Sequence, residues 1–347
     1  MSSIKNKRIL DVLNGLPVDK TPVWIMRQAG RYLPEYRNIR SKNSFHEMMH
    51  TPDLMAEVTL LPMNRFDLDA SIMFSDILVV PESLGMKFEL VPKVGPVFKT
   101  SISRSVDIEK LNFNHSYFKN IYNGIKIIRN TLDKTKSLIG FAGTPWTTAC
   151  YMVEGKPSKD YMKIRSLMYN DYESFDLLMR KITDATISYI REQINSGVNA
   201  VQIFDSNGVY ISKKNFIKYS LPYIKEIINF INSQNIPSIY YAKGLCDSPD
   251  LIMQTNSNVL GIDWSVELSK VKSATKGLVA LQGNLDPAIL LCPNNVIKSE
   301  TEKVLQSFGK GSGHIFNLGH GITPDVRPES VEFLVQQVRE MSSKNYE

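Results

Sequence analysis

The 347-residue chain has little cysteine: Cys150, Cys246 and Cys292 are widely scattered and show no CxxC spacing. That excludes a disulfide-built scaffold and suits a reducing compartment. No apolar stretch approaches ~18 residues, so no membrane-spanning helix is expected. The opening "MSSIKNKRILDVLNG" lacks the unbroken apolar core of a secretory signal. Low-complexity tracts and obvious repeats are missing too. The formal net charge is +6, yet its Lys and Arg are spread through segments such as "ISKKNFIKYSLPYIKE". Such spacing belongs to solvated helix faces, and a nucleic-acid-binding module would instead cluster its basic residues with aromatics between them. What remains, at 43% hydrophobic and 22% charged residues, is a soluble, cytoplasmic globular protein with a large core.

Short apolar runs recur along the chain: "PVWIM" (22–26), "ASIMF" (70–74), "SLIGF" (137–141), "NAVQIF" (199–204), "PSIYYA" (237–242), "VLGIDW" (259–264), "LVALQG" (278–283) and "HIFNLG" (314–319). Near-continuous runs of this kind suit strands buried on both faces of a parallel sheet. Helical patterns lie between them. One is "TPDLMAEVTLLPMNRF", with Thr51 as cap and Pro52 at the first helical position. Eight strands alternating with helices predict a single-domain (β/α)8 TIM barrel over residues 1–347. The doubly wound sheet is the alternative, but no Gly-rich dinucleotide fingerprint follows the first strand. Residues 77–117 read as an inserted loop, with "VPKVGPVF" as a short ribbon.

Polar residues and glycines gather where these strands end. Arg27 to Arg31 follow the first, Asp76 the second, Asp205-Ser206 the fourth, Lys243-Gly244 the fifth, Asp263 the sixth, Gln282-Gly283-Asn284 the seventh and His320-Gly321 the eighth. In a parallel barrel those ends converge on the face that carries the chemistry.

Several of these residues have two readings. Arg27 and Arg31 suit a carboxylate or phosphate; otherwise they form a solvated helix face with Glu35 as partner. Gly30 lets backbone approach a ligand or take a conformation closed to other residues. Asp76, inside "IMFSDIL", either caps the next segment or aims a negative charge into the barrel mouth. In "GFAGTPWTTACYMVEG", Phe141 and Trp146 read as packing, whereas the Tyr151 hydroxyl can bond a substrate carboxylate or orient Asp76. Ser206 lies outside any G-x-S-x-G elbow, which favours a hydrogen-bonding hydroxyl over a nucleophile. His320 sits between glycines, placed for ligand contact or proton handling.

"HEMMH" (46–50) matches H-E-x-x-H, the spacing of a zinc site with Glu47 as base. A new helix starting at Thr51-Pro52 cuts it short, and the sequence places no third ligand. No metal is expected there.

The segments "PVWIMRQAGRYLPEYR" and "GFAGTPWTTACYMVEG" resemble the two signatures of the uroporphyrinogen decarboxylases. "FSDILVVPESLGM", "FDS", "GIDW" and "NLGHGI" follow in that family's order, so the resemblance covers nearly the whole chain. It implies a barrel, a homodimer with facing clefts, and loss of CO2 from the four acetate arms of uroporphyrinogen III without metal or organic cofactor. By position, Arg27 and Arg31 would bind substrate carboxylates, with the backbone of Gln28, Ala29 and Gly30 lining the pocket. Asp76 would accept the pyrrole N–H bonds. Tyr151, Ser206 and His320 would contact carboxylates or the ring edge, beside Phe45 and Phe141, and Arg27, Asp76, Tyr151 and His320 form the catalytic set. Two departures, Thr144 and Asn207-Gly208-Val209, bear on pocket shape. The alternative is a zinc- or corrinoid-dependent methyltransferase of the same barrel superfamily, which needs a Cys/His zinc set that these three cysteines do not supply.

Overall fold

The computed structural model describes residues 7–342. Residues 1–6, on which part of the signal-segment expectation falls, and residues 343–347 lie outside the described residues. The strands are β1 Ala70–Ile72, β2 Phe88–Val91, β3 Gly95–Phe98, β4 Ser137–Gly143, β5 Ala200–Asp205, β6 Ser238–Ala242, β7 Val259–Gly261, β8 Ala280–Leu285 and β9 His314–Leu318. β2 and β3 form a separate antiparallel ribbon; the other seven pair in parallel in the order β1-β4-β5-β6-β7-β8-β9. Helices follow most of these strands and cover a curled, TIM-barrel-like sheet. Every residue of β4, β6 and β9 is buried, the reason their sequences are near-continuous apolar runs.

The first predicted strand is realised differently. Residues 22–26 make one β-bridge, Val23 to Phe316. On one side Trp24 N–H donates to the Phe316 carbonyl at 3.3 Å, and on the other Val23 C=O accepts from Asp69 N–H at 2.9 Å. The segment thus fills the eighth position between the two ends of the sheet. It forms no ladder because side chains take its other amides: Val23 N–H donates to Asp69 Oδ2 (2.7 Å), Ile25 N–H to Gln28 Oε1 (3.2 Å) and Met26 N–H to Asn317 Oδ1 (2.8 Å).

The helices follow their patterns. Tyr172–Asn195 starts where Asp171 accepts from Ser174 N–H and buries the stripe Phe175, Leu178, Met179, Ile182, Tyr189 and Ile190. Pro52–Arg65 opens on its proline, although Thr51, at the cap position, makes no side-chain cap bond. The segment 77–117 is more ordered than a loop: it holds helices Val79–Ser83 and Ser105–Glu109 and a short 3-10 turn, His115–Phe118, besides the β2–β3 ribbon. Phe98 N–H donates to the Gly155 carbonyl at 2.7 Å, which anchors the ribbon beside the C-terminal ends of the barrel strands. No helix among the described residues is long and apolar enough to cross a membrane.

Candidate active site

A cavity of about 490 Å³ opens at the C-terminal ends of the strands, within the size range of small-molecule sites. Its lining includes Arg27, Arg31, Asp76, Ser206 and His320, together with Ala29, Gly30, Phe45 and Phe141. Nine of the eleven residues expected at the site therefore meet in one cavity. The other two are Gln28 and Tyr151.

Arg27 sits in the left-handed region, φ 64°, a conformation a non-glycine residue holds only when its surroundings fix it. The turn Ile25–Gln28 does so: Gln28 N–H donates to Ile25 C=O at 2.9 Å. Gly30, expected to need special backbone freedom, has no positive φ; its constraint is space, since a Cβ there would lie 3.0 Å from the Arg27 carbonyl oxygen. Gln28 is fully buried and turned away, its amide donating to Ala70 C=O at 3.2 Å. The side chain is thus a strut tying residues 25–28 to β1. Glu35, the partner expected for a solvated arginine face, pairs with Arg65 instead (2.6 Å). Neither guanidinium of Arg27 or Arg31 makes a hydrogen bond or salt bridge to another described residue, and both face the cavity.

The Asp76 carboxylate is tied to its own loop and opens on the cavity. Its Oδ1 accepts from Leu78 N–H at 2.9 Å, which fixes the carboxylate, and it lines the cavity. Burial raises its pKa, while the Leu78 amide and the positive charge of Arg27 pull the other way. A half-buried carboxylate at a cavity wall gains from any cation or N–H donor brought to it.

His320 Nδ1 accepts from Gly321 N–H at 2.7 Å, so a neutral ring carries its proton on Nε2. Burial, then Arg27 and Lys243, push its pKa down to about 4. At neutral pH it is a hydrogen-bond donor and not an acid. Edge-on aromatic contacts run from it across the cavity floor: His320 to Tyr241 (6.3 Å), Tyr241 to Phe204 (5.9 Å) and Phe204 to Phe141 (5.6 Å). Phe45 and Tyr36 close the opposite wall against Phe74. Sequence reasoning missed Phe204, Tyr241 and Phe74. A signal was available for two of them, since Phe204 and Tyr241 stand near the C-terminal ends of the runs 199–204 and 237–242; the fold makes them register partners.

Tyr151 lies behind this lining, on the helix Pro145–Glu154, against Tyr161. Burial, then Tyr161 and Asp76, raise its pKa, so it stays a neutral hydroxyl near the Asp76 charge. Thr144, expected to alter pocket shape, is buried: it caps that helix through Thr147 N–H and donates to Asp205 Oδ1 at 2.9 Å. Asp205 also receives Thr147 Oγ1 (2.7 Å) and Tyr240 OH (3.0 Å). It is a buried strut beneath Ser206. Asp263 likewise holds its own loop, accepting from Gly244 N–H and Ser265 N–H at 2.9 Å each. Gln282 and Asn284 point to other interior groups. The polar strand ends thus divide into cavity groups and supports.

Cys150 and Cys246 are buried and Cys292 half-buried. None belongs to a group of metal-ligating side chains among the described residues, so the zinc set of the methyltransferase alternative is not assembled from them.

The family model described as uroporphyrinogen decarboxylase (URO-D) matches residues 4–341. A uroporphyrinogen decarboxylase from Geotalea daltonii is 45% identical over 341 residues, covering 98% of this chain and 100% of that protein. One from Legionella pneumophila (strain Lens) is 41% identical over 347 residues, covering 99% of each. Among solved structures, a methyltransferase from Methanosarcina mazei superposes with a TM-score of 0.79 at 21% identity, covering 97% of this chain and 98% of its own; that likeness concerns the fold alone. The signature segments, the cavity they build and these full-length matches agree: the chain belongs to the uroporphyrinogen decarboxylase family.

Proposed function

We propose that this chain decarboxylates the four acetate arms of uroporphyrinogen III to give coproporphyrinogen III, with the cavity at the strand ends as its active site. The observation that carries this reading is the pair of unpartnered guanidiniums, Arg27 and Arg31, on the same cavity as Asp76. A substrate with carboxylates at its rim and N–H donors at its centre needs both signs of charge in one place.

Arg27 and Arg31 bind rim carboxylates through charge-assisted bonds, each worth roughly 1.5–3 kcal/mol when water is excluded. Asp76 accepts the pyrrole N–H bonds. Protonation of a pyrrole ring carbon makes the ring an electron sink. The C–C bond to the departing carboxylate then breaks, its electron pair forms an exocyclic C=C that neutralises the ring, and CO2 leaves; protonation of that methylene carbon and loss of the proton added to the ring restore the pyrrole and leave a methyl group. The positive charge formed in between is shared by the pyrrole nitrogen next to Asp76, where a fixed carboxylate stabilises it most. His320 donates Nε2–H to a carboxylate. Ser206 offers a hydroxyl to the same rim, and Tyr151 supports Asp76 from behind. The aromatic floor from Phe141 to Tyr241 packs against the apolar faces of the macrocycle.

Residues 1–347 are taken as one catalytic domain that works in the cytoplasm as a homodimer with facing clefts, without metal or organic cofactor in the reaction. Exposed Val91 and Val94, beside the cavity mouth on the ribbon, support an apolar partner surface there; sedimentation measures the state. The test of the activity is an anaerobic assay with uroporphyrinogen III and no added cofactor. Stepwise CO2 release ending at a four-carboxylate product is expected, and an unchanged substrate overturns the reading.

A further inference from the structure

The H-E-x-x-H segment acquires in three dimensions the third ligand that its sequence lacks. The helix Phe45–His50 is short but firmly started: Ser44 Oγ accepts from Glu47 N–H at 3.1 Å, and Glu47 Oε2 accepts from Ser44 N–H at 2.6 Å. Glu47 is thereby committed to the cap and is no base for hydrolysis. His46 and His50, one turn apart, stack with ring centroids 4.2 Å apart. The helix Val79–Ser83 brings Glu82 against them. His46 Nε2 is 3.8 Å from Glu82 Oε1, and one ligand atom from each of the three residues falls within 4.8 Å of the others.

We propose that His46, His50 and Glu82 form a binding site for one divalent transition-metal ion of the zinc type. Two imidazole nitrogens and a carboxylate oxygen are a zinc donor set that leaves a fourth position for water. Small side-chain rotations suffice to bring the three atoms around an ion at about 2.0–2.2 Å. The Tyr117 hydroxyl marks the place: it donates to Glu82 Oε2 at 2.5 Å and, its one proton so used, accepts from His50 Nε2–H at 2.9 Å, and a bound metal would displace both contacts.

The protonation states favour the same result. Burial pushes His50 down to about 4, and burial and then Lys87 lower His46, so both rings are neutral at neutral pH and each keeps one lone pair. Burial pushes the Glu82 carboxyl up to about 7, against the opposing pull of the Tyr117 hydroxyl and Lys87. A second cavity of about 510 Å³, lined by His46, Glu82, Lys87 and Tyr117 among others, provides an entry path.

The site is separate from the proposed decarboxylation but adjoins its walls. Phe45, next to His46, lines the main cavity, and the helix carrying Glu82 begins just after Asp76. A bound ion would staple those two elements together.

Cobalt(II) is the probe, added to the full-length protein after removal of metals by chelator. One Co²⁺ per chain, with the visible absorption of a low-symmetry, four-coordinate ion, is expected. His46→Ala, at an exposed position that leaves the fold alone, is expected to weaken binding ~tenfold or more, and Glu82→Gln likewise. Zn²⁺ should raise the Tm of wild type and not of His46→Ala. A titration without those bands, or one that His46→Ala leaves unchanged, overturns the site. The metal-stripped enzyme should retain decarboxylation; loss of turnover restored by Zn²⁺ would overturn its separateness from catalysis. Because cobalt spectra need no substrate, failure here and failure of the proposed activity are told apart.

Discussion

The side chain of Arg27 lies across the backbone of Gly321: a Cβ at position 321 would come within 2.3 Å of Arg27 Cδ and 2.8 Å of its Nε. The last strand end and the first are therefore fitted to each other at the cavity. Gly321→Ala is predicted to push the guanidinium out of place. The clash falls on a flexible side chain, so Tm should hardly move while kcat/KM falls about tenfold or more. Unchanged kinetics would show that this pose of Arg27 is not used.

Arg31 and Arg37 should separate binding from structure. Arg37 donates to the Arg31 and Tyr32 carbonyls at 2.8 and 3.1 Å, whereas Arg31 has no such partner. Arg31→Ala is predicted to raise KM about tenfold with stability intact. Arg37→Ala should lower Tm with a smaller effect on KM. Steady-state kinetics and thermal melts on both variants check the split.

Much of this arrangement could be read from the chain itself. The alternation of apolar runs gave the parallel order, and Arg27, Asp76, Ser206 and His320 stood out as polar groups at strand ends. What could not be read depends on contacts between segments far apart in sequence. The Gln28 side chain is legible as a strut only once Ala70 C=O stands beside its amide. Asp205 needs Thr144, Thr147 and Tyr240 to be legible as a strut. The 22–26 strand shrinks to one bridge because Asp69 and Asn317 side chains take its amides. Glu82 joins His46 and His50 only through the fold of residues 77–117.

Buried neutral histidines set an acid limit on stability. His314 and His320 are each pushed from 6.5 to about 4. Above 6.5 neither folded nor unfolded form is charged and these groups have no effect. Below it the unfolded chain takes up protons first, so stability falls from about pH 6.5 to 4. Urea unfolding across that range should show the loss, with a shallower slope in His314→Gln. An identical slope would refute the assignment.

Glu82 should act with the opposite sign. Its carboxyl is raised from 4.5 to about 7, so in metal-free buffer its ionisation opposes folding increasingly as pH rises through that window. Glu82→Gln is predicted to melt higher than wild type above pH 7, the gap closing toward pH 4.5. A variant that melts lower at every pH contradicts this.

The central claim is that the Asp76 carboxylate, held by Leu78 N–H and sharing its cavity with the two arginines, stabilises the cationic ring during CO2 loss. Asp76→Asn keeps the shape and can still accept the backbone bond, but removes the charge. The decisive measurement is single-turnover CO2 release from uroporphyrinogen III under anaerobic conditions, wild type against Asp76→Asn, with thermal melts alongside. The account predicts an unchanged fold and a rate lower by about a hundredfold or more; a folded variant releasing CO2 at near the wild-type rate would contradict it.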